Sequence, residues 1–372
     1  MDILYESFYH NKDGTYTGKY GCIGDCLSRN VFFILRNILN RQGKFQINDL
    51  YKAYLEDLNF YLIKNDLNNI TGIGLNDILF WNKLICSTNT TEFIGDEKKA
   101  IEELEKLLNK GEVVLVSTGA EKIKFHKDFH LDIKDEDKGK RKINFLALYN
   151  SQDFLYYLYT YTLCNREYFK ACDENPSIGI APMNDFYNSF HDYVRLSTIN
   201  PDLGPLNDVC DNVYNSIYKS IENYYCSNQQ NAFILSGRKG LEFILEKLRG
   251  DGLSLDSSCE SCFENSASPF SFESLRSAIV WMCNRRKQYI YLFEILGINN
   301  ELVIQNLIKK LNYSITQWEA FMNLIKYFYF KNEYVIGIRG VKFIEDILLS
   351  DDDLFSFFKV NKKYLYEAIC SN

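Results

Sequence analysis

Proline and histidine are scarce. Among 372 residues stand 5 Pro, and with 20 Gly that is too few for a collagen-like or linker-dominated chain. The 4 His leave any imidazole chemistry with few candidates. Positive charge is in deficit. The 42 Lys and Arg face 49 Asp and Glu, a net charge of −7. That argues against nucleic acid as the main partner, because phosphate binding wants a basic face. No apolar run approaches the roughly 20 residues that span a bilayer, so no membrane partner is expected. The opening Met1-Asp-Ile-Leu-Tyr-Glu6 has an acidic flank and no long apolar core. It does not read as a secretory leader, and the expectation is a cytoplasmic chain.

Cysteine, by contrast, is plentiful at 11, with 46% of residues hydrophobic. An odd count at irregular spacing in a long chain is not a disulfide framework; most of these thiols are expected to fill the core as small hydrophobes. Cys259 and Cys262 make one C-x-x-C without a second pair or a nearby His, so a serine-rich surface loop over 254–271 is expected rather than a metal site. The hydrophobic fraction marks a globular chain, and the length suggests two domains.

Helical spacing appears first at Leu27–Leu39, where Leu27, Val31, Leu35 and Ile38 share a face and Asp25 is placed as N-cap. A second helix is expected over Gln46–Tyr61, with Ile47, Leu50, Tyr54 and Leu58 on one side. Gly72-Ile-Gly74 reads as a tight turn leading into a helix near Trp81. It is too short for a dinucleotide loop. A helix over Lys98–Asn109 stops at Gly111. The period then changes: strands are expected at Val113–Val116, Ile143–Tyr149 and Phe154–Thr162, with a turn at Asn150–Asp153. The Tyr-rich third strand should make aromatic cross-strand pairs. Pro176, Pro182, Pro201 and Pro205 mark a connection of loops and short elements. Helices follow at 207–225, 232–248, 272–296, 302–330 and 341–349. The expectation is an α+β domain over 1–172, a connection over 173–206 and a helical C-terminal domain over 207–372.

Cys26 is the sharpest chemical candidate. At the first turn of the first helix, unpaired backbone N–H groups would stabilise a thiolate and could line an oxyanion hole. Cys22 precedes the helix and lacks that geometry. A thiolate nucleophile needs a base, and the choice is His10, His126, His130 or His191. A Cys at a helix start followed about a hundred residues later by a His near strands is the chain order of papain-like enzymes. His130 is the favoured base and His126 the alternative. Asn144, on the following strand, stands where an orienting amide would lie; Asp132 and Asn150 are alternatives for that third role. Lys140-Arg-Lys142 and Arg285-Arg-Lys287 are expected as solvated faces, with contact to a phosphate or an acidic partner as the other reading.

Five segments together carry a family resemblance: the Cys26 helix, Gly72-Ile-Gly74 with Phe80-Trp81, Val113–Thr118, the two strands around Asn150, and Ser236-Gly-Arg-Lys-Gly-Leu-Glu-Phe-Ile-Leu-Glu-Lys-Leu248. Across nearly the whole chain the sequence resembles the family of butirosin biosynthesis protein H, including its cysteine-protease-like amide synthetases of the closthioamide type. The resemblance implies a papain-like, C39-peptidase-like fold with an appended helical domain. It implies acyl transfer from a carrier-protein phosphopantetheine thioester to an amine, such as a diamine, in nonribosomal peptide or antibiotic biosynthesis, with no cofactor of the protein's own. In the family a His commonly begins the strand that here holds Asn144. Either His130 supplies the base with Asn144 as its orienting partner, or this chain has lost its base. A papain-like cysteine hydrolase, peptidase or thioesterase, and a non-catalytic binding protein on a protease scaffold are the other readings.

Overall fold

The computed structural model describes residues 35, 47–75, 85–119, 123–125, 142–151, 153–158, 170, 178–201, 208–226, 233–255, 267–333 and 335–372. In chain order these form α1 (Ile47–Ala53), β1 (Phe60–Lys64), β2 (Ile70–Leu75), β3 (Ile85–Phe93), α2 (Glu97–Asn109), β4 (Val114–Gly119), β5 (Lys142–Ser151), β6 (Phe154–Leu158), β7 (Ile178–Pro182), α3 (Tyr187–Asp192) and β8 (Val194–Pro201). There follow α4 (Val209–Tyr225), β9 (Ile234–Ser236), α5 (Gly237–Arg249), β10 (Leu253–Ser254), β11 (Ala267–Pro269), α6 (Phe272–Ile295), α7 (Leu302–Phe330), β12 (Val335–Ile336) and α8 (Val341–Ser371). The chain is mixed helix and strand with a helical C-terminal region. No helix among the described residues is long and apolar enough to cross a membrane.

Two compact units interleave along the chain. One takes residues 1–47 and 82–204, the other 48–81 and 205–372. The break expected at 173–206 thus accounts for only one of the crossings. In addition, residues 48–81 leave the first unit to join the helices of the second.

The first unit is built on a six-stranded antiparallel sheet in the order β3-β8-β4-β5-β6-β7. Strand alternation sends Val114, Val116, Ile143, Phe145, Ala147, Val194 and Leu196 to one face. There α2 lays down Ala100, Ile101, Leu104 and Leu108, one stripe of an amphipathic helix capped by the Asp96 side chain. Phe125, Phe145, Tyr157 and Phe186 fill the space beside it, with Phe125 and Tyr157 stacked at 4.1 Å. The expected pairing of tyrosines is present, with Tyr149 stacked on Tyr156 across β5 and β6 at 4.2 Å. The segment read as a connection of loops and short elements contains two strands of the main sheet. β7 and β8 end at Pro182 and Pro201, so those prolines terminate strands rather than mark an unstructured stretch.

The second unit carries a four-stranded antiparallel sheet, β11-β2-β1-β9, and a two-stranded pair, β10-β12. Two expectations for this part are corrected. The helix over 46–61 ends at Ala53, although Leu50, Tyr54 and Leu58 are buried as its pattern requires. The backbone oxygens of Lys52, Ala53 and Leu55 face the Asn212 amide, Leu55 also accepts from Ser216, and Asn59 N–H turns back onto the Asp57 carboxylate. These side chains replace the continuing helical bonds and let β1 begin. Gly72 and Gly74 lie inside β2, paired on both sides, and do not form a turn. The expected loop over 254–271 contains β11, and Phe270 is buried, while Cys259 and Cys262 lie outside the described residues. α8 runs far beyond its expected end at Leu349, because the acidic run that follows is helical and Asp351 is buried. Of the cysteines with a described environment only Cys283 is buried; Cys210 and Cys370 are half-buried and Cys226 is exposed.

Candidate functional site

Cys26 and His130 lie outside the described residues, as do Cys22, His10, His126, Asp132 and the Lys140-Arg141 pair. Leu35, within the segment expected as the Cys26 helix, is helical and fully buried. The fourth histidine, His191, lies in the last turn of α3 and places Nδ1 2.6 Å from Glu97 Oε2 in an exposed pair. That contact holds the Glu97 carboxyl below its usual range.

Asn144 is the third residue of β5. It faces Ser117 of β4, which faces Arg195 of β8, which faces Glu92 of β3. These four make one polar row across the sheet on the face turned away from α2. On that same face the next row runs from Leu146 through Leu115 to Ser197 and Thr90; Leu115, Leu146 and Ser197 are buried, and the Ser197 and Thr90 hydroxyls lie 3.1 Å apart. Ser117 is buried, and Asn144 Oδ1 is out of contact with water. The row opens outward: Arg195 is half-buried and Glu92 exposed, the two sit 4.0 Å apart, and Tyr193 Oη donates to the same Glu92 carboxylate.

Position along β5 separates the two asparagines. Asn144 stands at the end that connects to residues 120–141, the stretch holding His126 and His130. Asn150 pairs with Leu155 six residues further on, roughly 20 Å away along the strand. The two cannot orient the same imidazole. A carboxamide placed there can accept a ring N–H and fix its tautomer, but it cannot exchange the proton itself. Ser117 and Arg195 went unnoticed in the sequence because β8 did. The alternation Val194-Arg-Leu-Ser was the available signal.

The second unit holds a denser polar cluster. Arg285 and Arg286, expected on a solvated face, are both buried. Lys287 alone is on the surface, where it pairs with Glu319 at 3.1 Å. Arg285 meets Glu56 at 2.7 Å and donates to the Asp57 carbonyl. Arg286 donates to Ser314 Oγ, to the carbonyls of Leu58 and Met282, and to Asp351. Asp351 also accepts from Trp318 Nε1 at 3.1 Å and from Ser314. The Asp57 carboxyl accepts from Asn59 N–H, Asn59 Nδ2 and Asn223 Nδ2. Burial nevertheless pushes Asp57 up to about 6, with those bonds and the Arg285 charge opposing the rise. Nearby, Tyr289 Oη is buried and makes no hydrogen bond among the described residues. Its ionisation is suppressed first by burial and then by the Asp57 charge. Apart from Tyr289, this cluster is satisfied within itself. It ties β1 and its approach to α4, α6, α7 and α8. The missed signal was α6 itself: its apolar residues lie on every side, which marks a buried helix and makes any charge on it a buried one.

No group of three or more metal-ligating side chains occurs among the described residues. No protein-family model matches the chain, and no curated protein matches it.

Proposed function

We propose that this protein is an amide-forming acyltransferase of the papain-like, C39-peptidase-like type. Cys26 is the nucleophile, His130 the base and Asn144 the residue that positions the base. The donor is an acyl or peptidyl group on the phosphopantetheine arm of a carrier protein, and the acceptor is a small amine or diamine. The observation that carries the reading is the placement of Asn144. It is a half-buried amide at one end of a polar row across the sheet, at the strand end continuous with the segment holding two of the four histidines. His191 pairs with Glu97 of α2, on the side of the sheet opposite Asn144, and so is not the imidazole that Asn144 would orient. The antiparallel sheet of the first unit suits a catalytic half of this type, and the helical second unit suits its appendage.

In the first half-reaction the Cys26 thiolate attacks the thioester carbonyl, and the carrier thiolate leaves. In the second, the amine attacks acyl-Cys26, His130 takes its proton, and the Cys26 thiolate is released. Thioester exchange is nearly isoenergetic and amide formation runs downhill, so the sequence needs no nucleotide. Asn144 keeps the imidazole in the orientation that leaves one nitrogen able to accept.

The test is intact-protein mass spectrometry after mixing with acyl-loaded carrier protein. An adduct of the acyl mass on the wild type and none on Cys26→Ala supports the reading. Carrier binding without an adduct supports instead a binding protein on the same scaffold, the reading favoured by Asn144 standing where the family commonly has its His.

A further inference from the structure

Helices α4 and α8 run antiparallel and keep one register over most of their contact. Tyr224 stacks on Phe355 with ring centres 4.1 Å apart, and Tyr225 Oη lies 3.0 Å from Ser356 Oγ. Lys362 Nζ sits 4.7 Å from the centre of the Tyr218 ring. One turn further along both helices, Tyr214 meets Tyr366 edge to face at 5.9 Å. From Tyr218–Lys362 to Tyr214–Tyr366 the register steps four residues back on α4 and four forward on α8. The next step of the same size falls on Cys210 and Cys370, which brings the two thiols beside each other, near enough for Cys210 to disfavour ionisation of Cys370. Both are free and half-buried, so the pair faces a neighbour on one side and solvent on the other.

We propose that Cys210 and Cys370 are a redox-modification site, closing to a reversible disulfide when the chain meets a small-molecule disulfide oxidant such as oxidised glutathione. One protein thiolate attacks a sulfur of the oxidant and expels the first glutathione thiolate, leaving a mixed disulfide. The second protein thiol gives its proton to solvent, attacks the protein-side sulfur and expels the second glutathione thiolate. Two protein thiols are oxidised by two electrons, and one oxidant disulfide is reduced to two thiols. Burial, and then the neighbouring Cys210, push the Cys370 thiol up to about 12. Closure is therefore slow at neutral pH and faster as pH rises, and the nearness of the partner sulfur offsets the small thiolate fraction. The bond would staple the start of α4 to the last turns of α8, enclosing 370 − 210 = 160 positions. It would restrain the unfolded chain accordingly. This inference is independent of the proposed role of Cys26.

The experiment exposes the full chain to oxidised glutathione at pH 8, blocks remaining thiols by alkylation, and maps disulfides by mass spectrometry of a non-reducing digest. The expected result is a peptide pair joining Cys210 to Cys370, lighter by two hydrogens than the reduced peptides. A rise in Tm of roughly 5–10 °C should accompany it. Dithiothreitol should reverse both changes. Cys210→Ala and Cys370→Ala should each lose both changes. The proposal is overturned if the two cysteines end as separate glutathione adducts, remain free, or pair with other cysteines, or if Cys210–Cys370 forms without a rise in Tm. The wild-type map decides the pairing even if a variant fails to fold.

Discussion

Arg286 Nη2 lies 3.1 Å from Asp351 Oδ2, and both side chains are almost wholly removed from water, 1% and 3% exposed. The pair joins α6 to α8, and Ser314 and Trp318 of α7 complete the hydrogen bonding of the carboxylate. Such a pair stabilises little relative to a well-packed apolar substitute, but removal of one partner strands the other charge. Asp351→Ala and Arg286→Ala should each destabilise the chain by about 3–5 kcal/mol. The double variant Arg286→Met with Asp351→Leu should lose much less than the sum of the single losses. Urea titration of the four proteins checks this; additive losses would mean that the pair is not coupled.

Asp57 offers a pH test. Its folded-state value of about 6 lies above the ordinary carboxylate value near 4, so between those two points the folded chain holds a proton that the unfolded chain has lost. The stability it contributes is complete below about pH 4, declines as pH rises to 6 and is gone above that. Asp57→Asn removes this dependence, and the Asn223 amide can turn over to present its oxygen. The stability of Asp57→Asn relative to wild type should therefore improve by about 3 kcal/mol between pH 4 and pH 7. Chemical denaturation of both proteins across that range measures it. A difference that stays flat with pH would contradict the raised value.

Gly179 on β7 lies against the Tyr157 ring of β6; a Cβ there would sit 2.3 Å from Cζ. Tyr157 is fully buried and packed with Phe125 and Phe145, so the ring has little room to yield. Gly179→Ala should cost about 1–3 kcal/mol of stability, and Tyr157→Leu in the same chain should recover part of it. Thermal unfolding of the single and double variants would show whether the clash or some other effect is responsible.

What could be read in the sequence was local. The stripe Ala100, Ile101, Leu104, Leu108 stands in the chain as it stands on α2, and long helices such as 302–330 announce themselves by length and period. What escaped was set by distant partners. Arg286 looks like a surface charge until Asp351, 65 positions later, is brought beside it. The segment after Ala53 keeps helical spacing, yet Asn212 and Ser216, some 160 positions away, occupy its backbone oxygens. β8 hid between prolines that in fact end strands. At the candidate site, Asn144 was legible as a strand residue from the alternation of Ile143, Phe145 and Ala147. Its neighbours Ser117 and Arg195 were not, because strand order is not written in any one strand.

The proposed triad separates by variant. Cys26→Ala should abolish both acyl-enzyme and product, while Cys22→Ala should be nearly silent. His130→Ala should lower turnover by about 10²–10⁴-fold, the range of a general acid–base group, with His126→Ala doing far less. Asn144→Ala should fall between, because it positions the imidazole without exchanging a proton, and Asn150→Ala should leave turnover unchanged. Turnover with acyl-loaded carrier protein is the measurement. Loss in Asn150→Ala with Asn144→Ala intact would move the site to the other end of β5.

Transfer and hydrolysis share the acyl-Cys26 intermediate and differ in what discharges it. Water stands at about 55 M and an amine at about millimolar, so a transferase must favour the amine by about 5 × 10⁴ merely to draw level. Yielding ten amides per free acid demands roughly another factor of ten, together about 8 kcal/mol in relative barrier. Positioning of a bound amine against the carbonyl can supply it, since effective molarities for oriented groups reach about 10⁵ M and beyond. The enzyme should therefore form a long-lived acyl-Cys26 species in buffer alone. A diamine should discharge it at least tenfold faster and appear in the product as an amide, and an alcohol of similar length should do neither. His130→Ala should slow the diamine step more than the background decay. The acyl-enzyme is formed, split into buffer with and without diamine, and followed by mass and by product. Equal decay in both halves with only free acid formed would make the protein a hydrolase.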